Sequence, residues 1–344
     1  AFFTTYADKS LGIKNAGDLI EELERRKIIL YRNYNNRYVL FEGTDLDIQT
    51  ALYEAGNKID EITDVVTLLN KYYTLSPILA KKAMYETGTP RLFEYRISSH
   101  PTTDVPAGEV DGYINLVFNE KNILQAIKEV SASQKDAVLY CYYRNSKEIK
   151  DLLFEIEKTQ KVIEENGEDK IAIAELKNII LHQRNLLNHK ILNSFYNQNT
   201  KVDWVFNGET VNIRSLKEFN SFLSHICKTI YSKTPTFNNE LVNKHKISPS
   251  IHTAKKSYFK ALANDWDIPQ LGFLEDKFPP EKTIYLSLLE NNGIQLYDDN
   301  YNAEIIPNSK NGFDTLWNTS VEFINNSRTA KRPLAELVEQ LSKK

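Results

Sequence analysis

Two apolar runs, separated by a single break at Asn166-Gly167-Glu168-Asp169, constrain this chain more than any other feature in it. Ile149, Leu152, Leu153, Ile156 and Ile163 return at steps of three and four, and Ile173, Leu176, Ile180, Leu187 and Ile191 do so after the break. That period puts each set on one face of an α-helix. Asn145 with Glu148 three residues on is a cap signal, and the turn at Gly167-Glu168-Asp169 lets the second helix fold back on the first. Residues 146–197 thus predict an antiparallel helical hairpin, each arm about 30 Å long at 1.5 Å per residue. Such a hairpin serves as a strut or lever and splits the chain into an N-terminal and a C-terminal part.

A chain of 344 residues exceeds what one hydrophobic core covers, so two or three packed units are expected. With 41% hydrophobic and 11% aromatic residues the chain buries enough to fold. Its net charge of -3 supplies no chain-wide attraction to nucleic acid or anionic membrane, so any such contact falls to a local patch. Cys141 and Cys227 are the only cysteines and stand far apart, against a disulfide framework or zinc site and in favour of a reducing, cytoplasmic compartment. No apolar run has the length of a membrane span. The chain opens on Ala1-Phe2-Phe3, has its one Met at 84 and closes on Lys343-Lys344, and is expected to be a fragment of a longer polypeptide.

Before the hairpin, a short helix around Leu19, Ile20 and Leu23 is followed by extended runs at 28–31 and 38–41 flanking Asn33-Tyr34-Asn35-Asn36. Helix, strand, turn, strand is the second half of a winged helix. Residues 1–15 are too short for both upstream helices of such a domain, which would place its first helix outside this chain. Thr44 with Asp47 predicts a capping box for a helix carrying Ile48, Ala51, Leu52 and Ala55. Strands follow at 91–97 and 113–118, a helix at 122–130, and an apolar, central strand at 137–143. Beyond the hairpin, Asn207-Gly208 predicts a β-hairpin between 201–206 and 210–213. Helices are predicted at 215–231, 248–264 and from Pro279-Pro280 to Gly293, and extended runs at 294–297 and 303–306 repeat the helix-wing order. The tail, 313–341, reads as helical with an interruption near Arg332-Pro333.

The expected fold class is therefore α+β, mostly helical, with winged-helix-like units, a small α/β sheet unit and the long antiparallel helical hairpin. In domains this gives 1–60 as a winged-helix-like unit, 61–145 as the α/β unit, 146–198 as the hairpin, and 199–344 as a helical region with a second helix-wing unit.

Six lysines (233, 244, 246, 255, 256 and 260) face one acid, Glu240, over residues 233–260, with His245 and His252 among them. That stretch reads as a phosphate-neutralising patch, as a solvated helix face, or as an intersubunit salt-bridge surface. In the N-terminal helix and wing, Arg25, Arg26, Lys27, Arg32 and Arg37 are balanced by Asp18, Glu21, Glu22, Glu24 and Glu42, which favours protein docking over DNA contact there. The candidate nucleic-acid contacts are Lys244, Lys246, Lys255, Lys256, Lys260, Arg25, Arg26 and Arg37. A rival site is the acidic set Glu94, Asp104, Glu109 and Asp111, which could hold Mg²⁺ for phosphodiester cleavage. Glu120-Lys121 lacks the alternate spacing that would put a lysine beside those carboxylates. His182 and His189 sit two helical turns apart, about 10 Å, and cannot share one metal ion. A phosphate-binding Gly-x-x-x-x-Gly-Lys-Ser/Thr loop is absent, and so is Gly-x-Gly-x-x-Gly.

Residues 38–48 (YVLFEGTDLDI), 87–97 (TGTPRLFEYRI), 111–118 (DGYINLVF), 234–243 (TPTFNNELVN) and 279–289 (PPEKTIYLSLL) occur in an order that resembles the region following the ATPase core of very large bacterial P-loop ATPases, including those of phage-exclusion (BREX-type) defence operons. The resemblance implies a winged-helix and regulatory portion of such an ATPase, with ATP and Mg bound by the parent protein and no cofactor bound by this portion. It implies as partners the upstream ATPase domain of the same polypeptide, DNA, and other defence-system proteins, and no membrane. No catalytic residue carries over. The expected function is non-catalytic coupling of nucleotide-driven movement to DNA or partner proteins, and the alternative is a Mg-dependent nuclease using the acidic set.

Overall fold

A computed structural model describes residues 15–32, 36–40, 46–144, 146–195, 202–244, 246–294 and 312–342. In chain order the elements are α1 (Ala16–Arg25), β1 (Ile29–Arg32), β2 (Arg37–Leu40), α2 (Ile48–Gly56), α3 (Val65–Tyr72), β3 (Ile78–Leu79), α4 (Lys81–Thr87), β4 (Leu92–Ser98), β5 (Gly112–Phe118), α5 (Leu124–Ser133) and β6 (Val138–Tyr143). They continue with α6 (Lys147–Glu165), α7 (Lys170–Phe195), β7 (Val202–Phe206), β8 (Glu209–Val211), α8 (Leu216–Ile230), α9 (Pro249–Asn264), α10 (Pro280–Leu288), α11 (Phe313–Asn326) and α12 (Leu334–Ser342). The result is a mixed α+β protein, 54% helix, with a six-stranded mixed sheet, a two-stranded hairpin and a packed helix pair. Among the described residues no helix is long and apolar enough to cross a membrane.

The chain forms two compact units, Ala1–Thr74 with Arg144–Ser194, and Leu75–Tyr143 with Phe195–Lys344. In the first, α6 and α7 are the helices that the apolar period predicts, broken where Gly167 stands. Ile149, Leu153 and Ile156 of α6 are buried, as are Leu176, Leu187 and Ile191 of α7. Thr159 meets Gln183 across the pair at 3.2–3.3 Å, and Lys190 forms an ion pair with Glu148, so the helices run antiparallel. At 19 and 26 residues the arms are about 28 and 39 Å long. Asn145 lies outside the described residues, as do residues 1–14 and the turn residues 33–35. Helix α2 lays Ala55 into a cluster with Val162, Leu176 and Ile179. Asp47 caps α2, its Oδ1 accepting the Gln49 and Thr50 N–H groups at 3.1 and 3.2 Å, while Thr44 lies outside the described residues. Strands β1 and β2 pair antiparallel directly after α1, which gives the helix, strand, turn, strand order.

In the second unit the strand order is β3-β4-β5-β6-β7-β8. β4, β5 and β6 are parallel, and the other neighbours are antiparallel. β5 and β6 are central and every one of their residues is buried, which is why they read as continuous apolar runs. β5 carries one exception, Asn115, fully buried on the same face as Tyr113 and Val117. Its amide donates to Ser98 Oγ at 3.0 Å and accepts the Thr102 N–H at 3.3 Å, and Tyr140 donates to the Thr102 carbonyl at 2.6 Å. These bonds pin residues 99–111, the helix-free connection between β4 and β5.

The hairpin predicted at Asn207-Gly208 forms, with φ of 48° and 79° at its two central residues, the left-handed pair that only such a dipeptide adopts cheaply. It does not stand alone. β7 pairs with β6, Cys141 opposite Trp204, so the chain leaves this sheet at Tyr143 for the helix pair and resumes it at Val202. Trp204 is held between Phe195 and Phe219 at 5.6 and 5.3 Å. Helices α9 and α10 share a cluster of Ala254, Tyr258, Ala261, Leu271 and Ile284. Residues 295–311, which carry both extended runs of the second helix-wing order beyond Ile294, lie outside the described residues.

Candidate nucleic-acid interface

Pro249 at its first position starts α9, and Ile251, Ala254, Tyr258 and Ala261 turn inward at helical steps. The remaining positions face outward, and on them stand Lys256 and Lys260, both exposed, with Lys255 half-buried at the edge of the inward face. Lys256 and Lys260 are four residues apart, so their Cβ atoms lie about 5–6 Å from one another along one row. His252 precedes them by one turn in the same row. Lys244 and Lys246, both exposed, belong to the segment leading into the helix, and His245 between them lies outside the described residues.

None of these five lysines forms an ion pair among the described residues, a property that Arg37 shares and Arg25, Arg26 and Arg32 do not. Helix α9 itself contains no acid; Asp265 and Asp267 come only after its last turn. An ammonium row without intramolecular carboxylates keeps its field for a polyanion.

The arginines from the N-terminal helix and wing are placed differently. Arg25 and Arg26 are exposed, but both reach back to Glu22, at 2.5 and 2.6 Å, so one carboxylate serves two guanidinium groups. Arg37 is exposed on β2, opposite Arg32 in the ladder, and Arg32 is engaged by Glu175 of α7. The five lysines therefore belong to the second compact unit, and Arg25, Arg26 and Arg37 to the first.

Two of the four acids, Asp111 and Glu94, are committed to the fold, while Asp104 and Glu109 are exposed. Asp111 accepts Arg91 Nη1 at 2.6 Å on one oxygen and the Leu92 N–H at 2.8 Å on the other, and Glu94 pairs with Arg96 on its own strand. Among the described residues no three His, Cys, Asp or Glu side chains converge as metal ligands. Arg91 also stacks on the Tyr231 ring at 4.0 Å and donates to Thr234 Oγ1 at 2.8 Å. It borders a cleft of about 840 Å³ that Asp111, Asp136, Lys233 and residues of α11 and α12 also line. With its fork filled from both sides, Arg91 organises that cleft rather than waiting in it for a ligand. His182 is half-buried and His189 exposed on α7. Burial pushes the Cys141 thiol well above its ordinary range, and the carboxylate of Asp203 adds to the shift.

One residue of the basic face is not a charge. Phe259 is 58% exposed, one position before Lys260, four after Lys255 and three after Lys256. Its ring touches the buried Tyr258 ring, centroids 5.4 Å apart. The signal was in the sequence, because Phe259 is the large apolar residue of this helix that falls off the Ile251, Ala254, Tyr258 stripe.

Compared with protein-family models, curated proteins and solved structures, the chain matches none.

Proposed function

We propose that this chain is a non-catalytic coupling module that contacts nucleic acid through α9 and the segment before it. The observation that carries this reading is the row of lysines that, among the described residues, has no carboxylate partner on a folded helix. Lys255, Lys256 and Lys260, with Lys244 and Lys246, supply the phosphate contacts. The α1–β1–β2 arrangement acts as the latter part of a winged-helix-like, protein-docking element, in keeping with its internally balanced charge. The packed pair α6–α7, inserted between two paired strands of the sheet, is the stiff arm through which movement passes. That the driver is the ATPase domain of a large bacterial P-loop protein serving phage defence rests on the sequence resemblance, and a cytoplasmic setting rests on the two distant cysteines. In that setting ATP and Mg belong to the driver, and other defence-system proteins are the further partners.

The test is a titration of labelled duplex and single-stranded DNA with the 344-residue chain in the presence of Mg²⁺, repeated across salt concentrations. Binding that weakens linearly with the logarithm of salt, without cleavage, and that Lys255→Glu/Lys256→Glu weakens, supports the reading. Cleavage of the DNA overturns its non-catalytic part, and absence of binding to both probes overturns the nucleic-acid part.

A further inference from the structure

A duplex keeps its base faces stacked inside and offers an exposed ring only groove-edge contacts such as a thymine methyl, whereas a single strand offers it whole base faces. Helix α9 has such a ring. Phe259 projects from the same outward side as Lys256 and Lys260, within one helical turn of Lys255 and Lys256. It is held rather than loose, because its neighbour Tyr258 is 2% exposed and packs against it while sitting in the α9–α10 core. Ser257, exposed on the same helix, adds a hydroxyl group to this surface.

An anchored aromatic platform with cations on either side matches a polyanion whose π-faces are uncovered. We propose that α9 binds single-stranded nucleic acid, one base stacking on Phe259 while Lys255, Lys256 and Lys260 take the phosphates that flank it. This rests on the nucleic-acid reading of α9 and narrows it to a substrate class. The chemistry is sequence-tolerant, since every base has a face to stack, and it assigns Phe259 a part that charge alone does not reveal.

The experiment measures anisotropy of a labelled oligothymidylate and of a labelled duplex of equal length, with the full chain and its variants. Oligothymidylate is expected to bind more tightly than the duplex at equal salt. Phe259→Ala should weaken oligothymidylate binding about tenfold, leaving the salt dependence and the duplex affinity unchanged, and Phe259→Trp should restore it. Lys256→Glu/Lys260→Glu should weaken both probes and flatten the salt dependence by about 0.7 per lost contact on the single strand. If the two probes bind alike and Phe259→Ala changes neither, the stacking proposal falls while the nucleic-acid reading stands. If neither probe binds, both fall, and Phe259 with its lysines marks a protein-docking surface instead. Because Phe259 is more exposed than buried, its truncation spares the core, and an unchanged unfolding midpoint confirms that a loss of affinity is local.

Discussion

The α1–β1–β2 region and the α9 region are both rich in cations, yet their charges do opposite things. In the first, Arg25 and Arg26 converge on Glu22 and Arg32 crosses to Glu175, so the guanidinium groups tie the helix to itself and the wing to α7. In the second, the ammonium groups of Lys255, Lys256 and Lys260 meet no carboxylate among the described residues, and the inward face of the helix is carried by Ile251, Ala254, Tyr258 and Ala261. Fold stability in the second region comes from apolar contact, which leaves its charge unspent. A count of basic residues would rank the two regions alike; the location of the acids separates them.

The sharpest way to break that contrast is charge reversal on each side. Lys255→Glu/Lys256→Glu/Lys260→Glu should lower affinity for single-stranded DNA by about a hundredfold at low salt and flatten the salt dependence by about 2. Arg25→Glu/Arg26→Glu should leave both within about twofold, since Glu22 already engages both groups and Asp18, Glu21 and Glu24 balance the remaining charge of that helix. Equal losses from the two variants would mean that partner carboxylates do not decide which cations are available.

Local periodicity explains what of this could be read in advance. The faces of α6, α7 and α9 follow from residues three and four apart, and the Asn207-Gly208 turn from two adjacent residues, so each was legible. The pairing of β7 with β6 was not, because the strands are separated by the whole helix pair and no local feature marks Trp204 as the neighbour of Cys141. β3, two residues long, is a strand only because Phe93 and Leu92 lie opposite it. At the interface the lysine density was visible, whereas the lack of partner acids among the described residues is a property of packing. The role of Arg91 against Asp111 and Tyr231, which draws one carboxylate out of the acidic set, likewise needs residues 20 and 140 positions away brought together by the sheet and α8.

A smaller effect sharpens the stability half of the contrast. The side chains of Arg32 and Glu175 are 26% and 12% exposed, so the pair is partly withdrawn from water. Glu175→Ala leaves a guanidinium without its carboxylate in that setting and should cost about 1–3 kcal/mol in urea unfolding. Lys256→Ala, on an open face, should stay within about 0.5 kcal/mol of the parent. A double-mutant cycle over Arg32 and Glu175 with a coupling near zero would show that the wing is held to α7 by apolar contact, and would erase the distinction drawn between the regions.

The smallest effect comes from an acid rather than a base. Asp64 opens α3 by accepting the Thr67 hydroxyl at 2.6 Å and the Thr67 N–H at 3.0 Å, and these two bonds, side chain first, hold its carboxyl below the ordinary carboxylate range. A carboxyl whose folded value is depressed contributes stability that is complete above its unfolded value and is lost as pH falls through the folded one. Asp64→Asn should therefore cost little at neutral pH, because asparagine caps nearly as well, yet reduce the slope of stability against pH in the acid range below about 4. The site is open to solvent, so salt should shrink the difference. Identical acid slopes for parent and variant would place the acid sensitivity of this unit elsewhere. The same comparison with Asp47→Asn, which caps α2 through the Gln49 and Thr50 N–H groups, tells whether both caps or one alone set it.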